Sequence, residues 1–282
     1  MAVRIVTDSG IDLPGGSDPR LTVVPLGITF GSTTYADGVD LTNDRFYELL
    51  IESDELPKTS QATPFTYHEV LAPICAAGDE AVVITLSSKL SGTYQSAVTA
   101  ASEFDGVYVV DSKNVTIGQS ILVQYALRLV EEGLGAAEIA EKVAAAADRV
   151  CLLALLDTLE YLRRGGRIGA MAATVGTMLD LKPIITENRE GKLVSSDKVR
   201  GRKAALRLIA DKAAENIDDP AQAMTIILHA DAPEDAARLE TMLRERVPEL
   251  GEIQTYYVGP VIGAHCGPGT VAICFFGKER PC

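Results

Sequence analysis

The sequence predicts an α/β protein: a mostly parallel sheet with flanking helices, followed by a second α/β domain built on a mixed sheet. Three observations carry this. Short apolar runs ending in polar turns recur down the first half, at 3–7, 81–86 and 107–110. Stretches of helical period separate them, and such alternation closes as parallel strands joined by helical crossovers. Beyond about residue 150 the order changes to a short helix, a hairpin and two further β-α-β passages. The chain of 282 residues is long enough for two cores, and the domains are expected at 1–155 and 156–282.

In the first half, Val3-Arg4-Ile5-Val6-Thr7 reads as a buried strand ending at Thr7-Asp8-Ser9-Gly10. Open α/β sheets place sites at the carboxyl end of such a strand, so Asp8 and Ser9 are candidates; a turn capped by the aspartate is the alternative. Residues 21–30 give a second apolar stretch broken by Pro25 and Gly27, Asp37-Gly38 a turn, and 43–51 a short amphipathic helix. Leu56-Pro57-Lys58-Thr59-Ser60-Gln61-Ala62-Thr63-Pro64 is a loop dense in hydroxyl and amide groups, the composition of a binding loop. Pro64 suits the first turn of a helix over 65–77, with Thr63 as its N-cap. The strand at 81–86 runs through Ser87-Ser88-Lys89-Leu90 into a helix that begins at Ser91-Gly92-Thr93. The first N–H groups of a helix have no partner within it, and partial positive charge collects there, so this turn suits a carboxylate or phosphate. Ser91 reads equally well as a plain N-cap. The strand at 107–110 ends at Asp111-Ser112, and helices follow at 116–131 and 136–149.

In the second half, a strand over 151–155 precedes a short helix, a glycine stop and three arginines, Arg163, Arg164 and Arg167. Residues 171–179 read as an apolar, small-residue helix, and 181–186 with 192–195 as a hairpin around Glu190-Gly191. A basic helix over 199–214 carries Arg200, Arg202, Lys203 and Arg207; strands and helices then alternate at 223–229, 233–246, 253–258 and 270–276. Between the last two strands, Gly259 to Gly269 reads as a glycine-rich loop that frees His265 to reach a ligand. Arg167, Arg200 and Arg202 are either a helix cap and a solvated face, or a docking site for an acidic partner.

A net charge of −13 argues against nucleic acid or an anionic lipid surface as the main partner, though not against transient peripheral membrane contact. The N-terminal apolar run is too short for a signal peptide, and no stretch approaches the ~18 apolar residues of a membrane span, so a cytoplasmic protein is expected. Five scattered cysteines without a CxxC indicate neither disulfides nor a zinc site. Three isolated histidines, no HExxH, no GxxxxGK(S/T) and no GxSxG leave metal, nucleotide and serine-hydrolase chemistry without a motif. Neither metal nor cofactor is expected. His265 and Cys266, adjacent in an extended segment, would point apart and make a poor nucleophile–base pair. The surviving enzymatic alternative is a phosphotransferase with Mg²⁺ held by strand-end Asp8 and Asp111.

Taken together in order, Thr7-Asp8-Ser9, Thr59-Ser60-Gln61, Ser87-Ser88-Lys89-Leu90-Ser91-Gly92-Thr93-Tyr94, Asp111-Ser112, Leu159 to Ile168, Leu181-Lys182-Pro183-Ile184 and Gly259 to Gly269 resemble the DegV family over nearly the whole chain. The resemblance implies a non-enzymatic protein that binds a long-chain fatty acid between two α/β domains. In some members that protein is the acyl-binding subunit of a fatty acid kinase, whose separate catalytic subunit makes the acyl phosphate. The family's carboxylate-binding hydroxyls map to Thr59 and Ser91, with His265 nearby; Ser60, Gly92 and Thr93 are further candidates. An imidazolium at His265 would offset the ligand's charge. The chain departs from the family pattern at Ala62, where proline is common, and at Cys266, where a small or hydroxyl residue is usual.

Overall fold

In the computed structural model, which describes residues 2–13, 18–53, 55–169, 171 and 181–280, the β-branched runs become strands and the polar stretches between them become turns. The chain begins with β1 (Val3–Asp8), a 3-10 turn (Ser9–Ile11), β2 (Leu21–Val24), β3 (Gly27–Phe30), β4 (Thr33–Ala36), α1 (Asn43–Glu52), β5 (Lys58–Ser60) and α2 (Pro64–Ala76). It continues with β6 (Glu80–Thr85), α3 (Thr93–Ala101), β7 (Val107–Asp111), α4 (Ile117–Glu131) and α5 (Ala136–Ala147). The rest is β8 (Val150–Leu155), α6 (Glu160–Arg164), β9 (Leu181–Glu187), β10 (Leu193–Arg200), α7 (Arg202–Asn216), β11 (Thr225–His229), α8 (Pro233–Arg246), β12 (Ile253–Tyr257), α9 (Pro260–Cys266) and β13 (Val271–Phe276).

Two main sheets result. The first, in the order β2-β1-β6-β7, is parallel throughout. The second, β10-β9-β8-β13-β11-β12, is antiparallel except for the β11–β12 pair. This is the expected α/β class with one parallel and one mixed sheet. β8 pairs with β9 and β13, so the chain passes between the sheets at the α5–β8 junction, before Leu155. A small antiparallel sheet, β4-β3-β5, was not foreseen. It takes in part of the polar loop: Thr59 lies opposite Ile28, and β3 supplies the backbone partners that three polar residues could not specify alone.

Three further expectations change. Val199 and Arg200 extend β10, paired with Lys182 and Leu181, and the basic helix begins only at Arg202, after Gly201 turns the chain at φ 83°. The glycine-rich segment is a helix, α9: Pro260 starts it with a preset φ, and Gly267 ends it at φ 72°. The predicted helix at 171–179 lies, apart from Met171, outside the described residues.

Alternation along the second sheet divides its faces. Cys151, Leu153, Leu155, Ile273 and Phe275 pack with α7 and α8. Leu152, Ala154, Ile185, Leu228 and Ala272 face the other way, into the core shared with the first sheet. Helix α4, buried along Ile117, Ile121 and Leu122, packs against β1 and β6 of one sheet and β8, β11 and β13 of the other.

Candidate functional site

Strand register creates the cavity. Leu228 is opposite Ala272, Ala272 opposite Ala154, and Ala154 opposite Ile185, so these four side chains form one row across β11, β13, β8 and β9. Two alanines between two bulkier residues leave a trough. Leu26, Leu86, Leu90 and Val115 cover it from the first-sheet side. Such a mostly apolar slot suits an unbranched hydrocarbon chain.

One end of this cavity is polar. Thr59, Ser60, Gln61, Ser91, Arg167 and His265 line it together. Thr59 on β5 and His265 on α9 are joined by a hydrogen bond, Oγ1 to Nε2, of 2.8 Å. Ser91 stands one residue before the N-cap of α3, which is Gly92 and has no side-chain cap. The Ser91 hydroxyl accepts from the Thr93 N–H at 3.3 Å and lies 2.9 Å from the Thr93 hydroxyl. Ser91 thus supports the first helical residue without being the cap. Gln61 donates to Ser96 Oγ at 2.9 Å, and its amide occupies the space a Cβ at Gly92 would fill.

Arg167 is anchored by its Nε to the Leu90 carbonyl (3.1 Å) and by its NH1 to the Gly165 carbonyl (2.6 Å). Gly165 in turn abuts His265 Nδ1, leaving no room for a side chain. Burial, and then the Arg167 guanidinium, push the His265 imidazole down to about 4. Both influences favour the neutral imidazole near pH 7, against the expected imidazolium, which would need the ligand's own charge to hold its proton. The positive charge at this end of the cavity belongs to Arg167. His265 Nδ1 is buried and has no partner among the described residues.

Of the candidate residues, Thr59, Ser60, Ser91 and His265 converge on the cavity. Gly92 and Thr93 do not line it: Gly92 makes room for Gln61, and Thr93 is buried behind Ser91. Arg167, expected on a docking surface, is at the polar end, and Gln61 joins it there. The GGR run at 165–167 and the TSQ run at 59–61 were the available signals. Arg202 is occupied by Asp157, Asp235 and the Gly269 carbonyl, whereas Arg200, at the end of β10, is exposed.

The strand-end aspartates brace the backbone. Asp8 accepts from Gly10 N (3.1 Å) and Leu86 N (2.9 Å), and Asp111 from Ser88 N (3.1 Å) and Lys113 N (2.9 Å). Burial pushes Asp8 up to about 7. Among the described residues no group of three or more His, Cys, Asp or Glu is arranged to hold a metal, and no helix is long and apolar enough to cross a membrane.

Residues 2–278 match the family model described as "Uncharacterised protein, DegV family". The chain belongs to the DegV family. A DegV domain-containing protein of Caldanaerobacter subterraneus is 37% identical over 280 residues, covering 98% of this chain and 99% of the relative. One from Deinococcus radiodurans is 33% identical over 278 residues, covering 97% and 98%. Among solved structures, a fatty-acid-binding DegV family protein from Thermus thermophilus superposes with a TM-score of 0.90 at 31% identity, over 98% of this chain and 100% of that one. A fatty-acid-binding DegV family protein from Streptococcus agalactiae gives 0.89 at 28% identity, over 99% and 100%. DegV from Bacillus subtilis, also a fatty-acid-binding protein, gives 0.84 at 28%, over 99% and 100%.

Proposed function

We propose that this DegV chain binds a long-chain fatty acid, with its carboxylate among Thr59, Ser91 and His265 and its tail along the Leu228–Ala272–Ala154–Ile185 row. The observation that carries this is one cavity lined by an apolar trough and, together with it, hydroxyls, an imidazole and a guanidinium. Burying a ~16-carbon tail at about 0.8 kcal/mol per CH₂ gives on the order of 10 kcal/mol gross, before the costs of ordering and association. Hydrogen bonds to the carboxylate add roughly 1.5–3 kcal/mol each and fix its direction. The reading divides the chain into two domains, one per sheet, that close on the ligand. Fatty acids bound by its relatives support it. Denaturing extraction of the purified protein followed by mass spectrometry tests it: a co-purified long-chain fatty acid is expected, and an empty protein that also fails to take up added fatty acid refutes it. Ala272→Leu, which fills the middle of the trough, is expected to weaken binding of an 18-carbon acid by tenfold or more; an unchanged Kd places the tail elsewhere.

In this reading the protein is a cytoplasmic carrier that presents the carboxylate to a separate kinase subunit for conversion to acyl phosphate. Exposure of Ser60, Gln61 and Gly92 beside the polar end supports access from outside. Arg200→Glu is expected to leave fatty-acid affinity unchanged and to slow ATP-dependent phosphorylation by a fatty acid kinase catalytic subunit. Equal turnover by the variant removes Arg200 from the docking surface.

A further inference from the structure

Asp12 is bonded both to a residue of the cavity wall, Thr116, and to Gly259 at the start of the helix that carries His265. It follows the 3-10 turn after β1, in a left-handed conformation at φ 49°, and is nearly buried. Its Oδ2 accepts from Thr116 Oγ1 at 2.6 Å, and its Oδ1 from Gly259 N at 2.9 Å.

Both partners are unusual. Thr116 lines the cavity at the start of α4 with φ 51° and ψ −129°, a region that a β-branched residue adopts only when its surroundings enforce it. Its hydroxyl makes no cap bond to α4 and is spent on Asp12. Gly259 is the N-cap of α9, and a Cβ there would stand 2.6 Å from Asp12 Oδ1. From that fixed end, α9 carries Val261, Ile262, His265 and Cys266 to the cavity wall. A helix is stiff at ~1.5 Å rise per residue, so the placement of Gly259 governs where His265 meets Thr59.

We propose that Asp12 is a positioning residue: by bonding Thr116 and Gly259 at once, it sets the His265 helix against the Thr59 strand and so shapes the head-group end of the cavity. The ligand part of this statement rests on the fatty-acid reading above. Asparagine could keep both bonds, accepting from Gly259 with its carbonyl and donating to the Thr116 hydroxyl with its amide. Alanine keeps neither.

The test compares wild type, Asp12→Ala, Asp12→Asn and Thr116→Ala. One readout is the titration of the His265 imidazole by NMR in the protein without added ligand. The other is Kd for dodecanoate and for stearate. In Asp12→Ala the imidazole is expected to titrate at higher pH than in wild type, as its packing against Thr59 loosens. Both Kd values are expected to rise about tenfold, and by the same factor, because the loss is at the head group. Asp12→Asn is expected to stay within about threefold of wild type, and Thr116→Ala, which removes one of the two bonds, to lie between. An unmoved His265 titration in Asp12→Ala overturns the proposal, as does an asparagine variant as defective as alanine, or a loss that grows with chain length. If Asp12→Ala does not fold, Thr116→Ala decides: wild-type values for both readouts overturn the proposal. Because the NMR readout needs no ligand, wild-type protein that binds neither acid refutes the fatty-acid reading and leaves the positioning role to be judged on His265 alone.

Discussion

Alanine at Thr59 or Ser91 is expected to weaken binding of a long-chain fatty acid by about ten- to a hundredfold at each site, the loss of one charge-assisted hydrogen bond of roughly 1.5–3 kcal/mol. The two hydroxyls come from different elements. Thr59 is fixed by the pairing of β5 with β3, and Ser91 by the turn from β6 into α3. Neither supports the core, so both variants are expected to unfold at wild-type temperatures. The effects differ in kind. Losing Thr59 also frees His265 Nε2, which is bonded to Thr59 Oγ1 at 2.8 Å. Losing Ser91 removes an acceptor from Thr93 N at the first residue of α3. The double variant is therefore expected to lose most of its preference for the acid over a fatty alcohol of the same length, keeping the part that rests on the Arg167 charge. Isothermal titration with the acid–alcohol pair checks this, and undiminished preference for the acid in the double variant moves the head group elsewhere.

The largest effect on stability is expected at Arg280. Its side chain is 2% exposed and that of its partner Glu187 is fully buried. The guanidinium donates to the carbonyls of Glu187 (3.2 Å), Ala147 (3.2 Å) and Lys113 (2.7 Å), to Asn114 Oδ1 (3.3 Å) and to Glu187 Oε2 (3.3 Å). These groups come from the end of β9, the end of α5 and the turn before α4, so one side chain near the C-terminus ties the two sheets' loops together. Burial pushes the Glu187 carboxyl up to about 8 against the opposing pull of Arg280. Glu187 Oε1 has no partner among the described residues. A half-satisfied buried pair adds little net stability, yet removing one member strands the other. Arg280→Ala is thus expected to cost about 3–5 kcal/mol, lowering Tm by on the order of 10 °C. Arg280→Met combined with Glu187→Gln is expected to recover part of that loss. Thermal unfolding by circular dichroism decides; a Tm for Arg280→Ala within a degree or two of wild type means that the arginine is not so engaged.

The two main sheets and most helices were legible because their signals are local. β1, β6 and β7 are each built on a short, mostly apolar run ending in polar residues, and α2 announces itself with Thr63 as a side-chain N-cap and Pro64 at its first position. What escaped depends on contacts distant in sequence. β5 is three polar residues whose strand character comes from β3. Helix α9 was masked by glycines, but Gly263 is there because the Phe46 ring and the Tyr47 hydroxyl would lie 2.7 Å and 3.1 Å from a Cβ. That glycine is a packing requirement in a helix, and sequence alone gives it the look of a loop. Thr59 and Ser91, which line the cavity, stood out through motifs, whereas Arg167 was assigned to a surface because only the packing of α6 on α9 brings it beside His265. The neutral state of His265 follows from burial in the same way, which no spacing of residues reveals. Asp12 sits in no motif, and its partners lie 104 and 247 positions away.

A crystal structure of the protein grown with palmitate tests the head-group assignment most directly. The carboxylate oxygens are expected within ~3 Å of the Thr59 and Ser91 hydroxyls, with the methylene chain running past Ala272 and Ala154. A palmitate bound with its methyl end at Thr59, or outside this cavity, would contradict it.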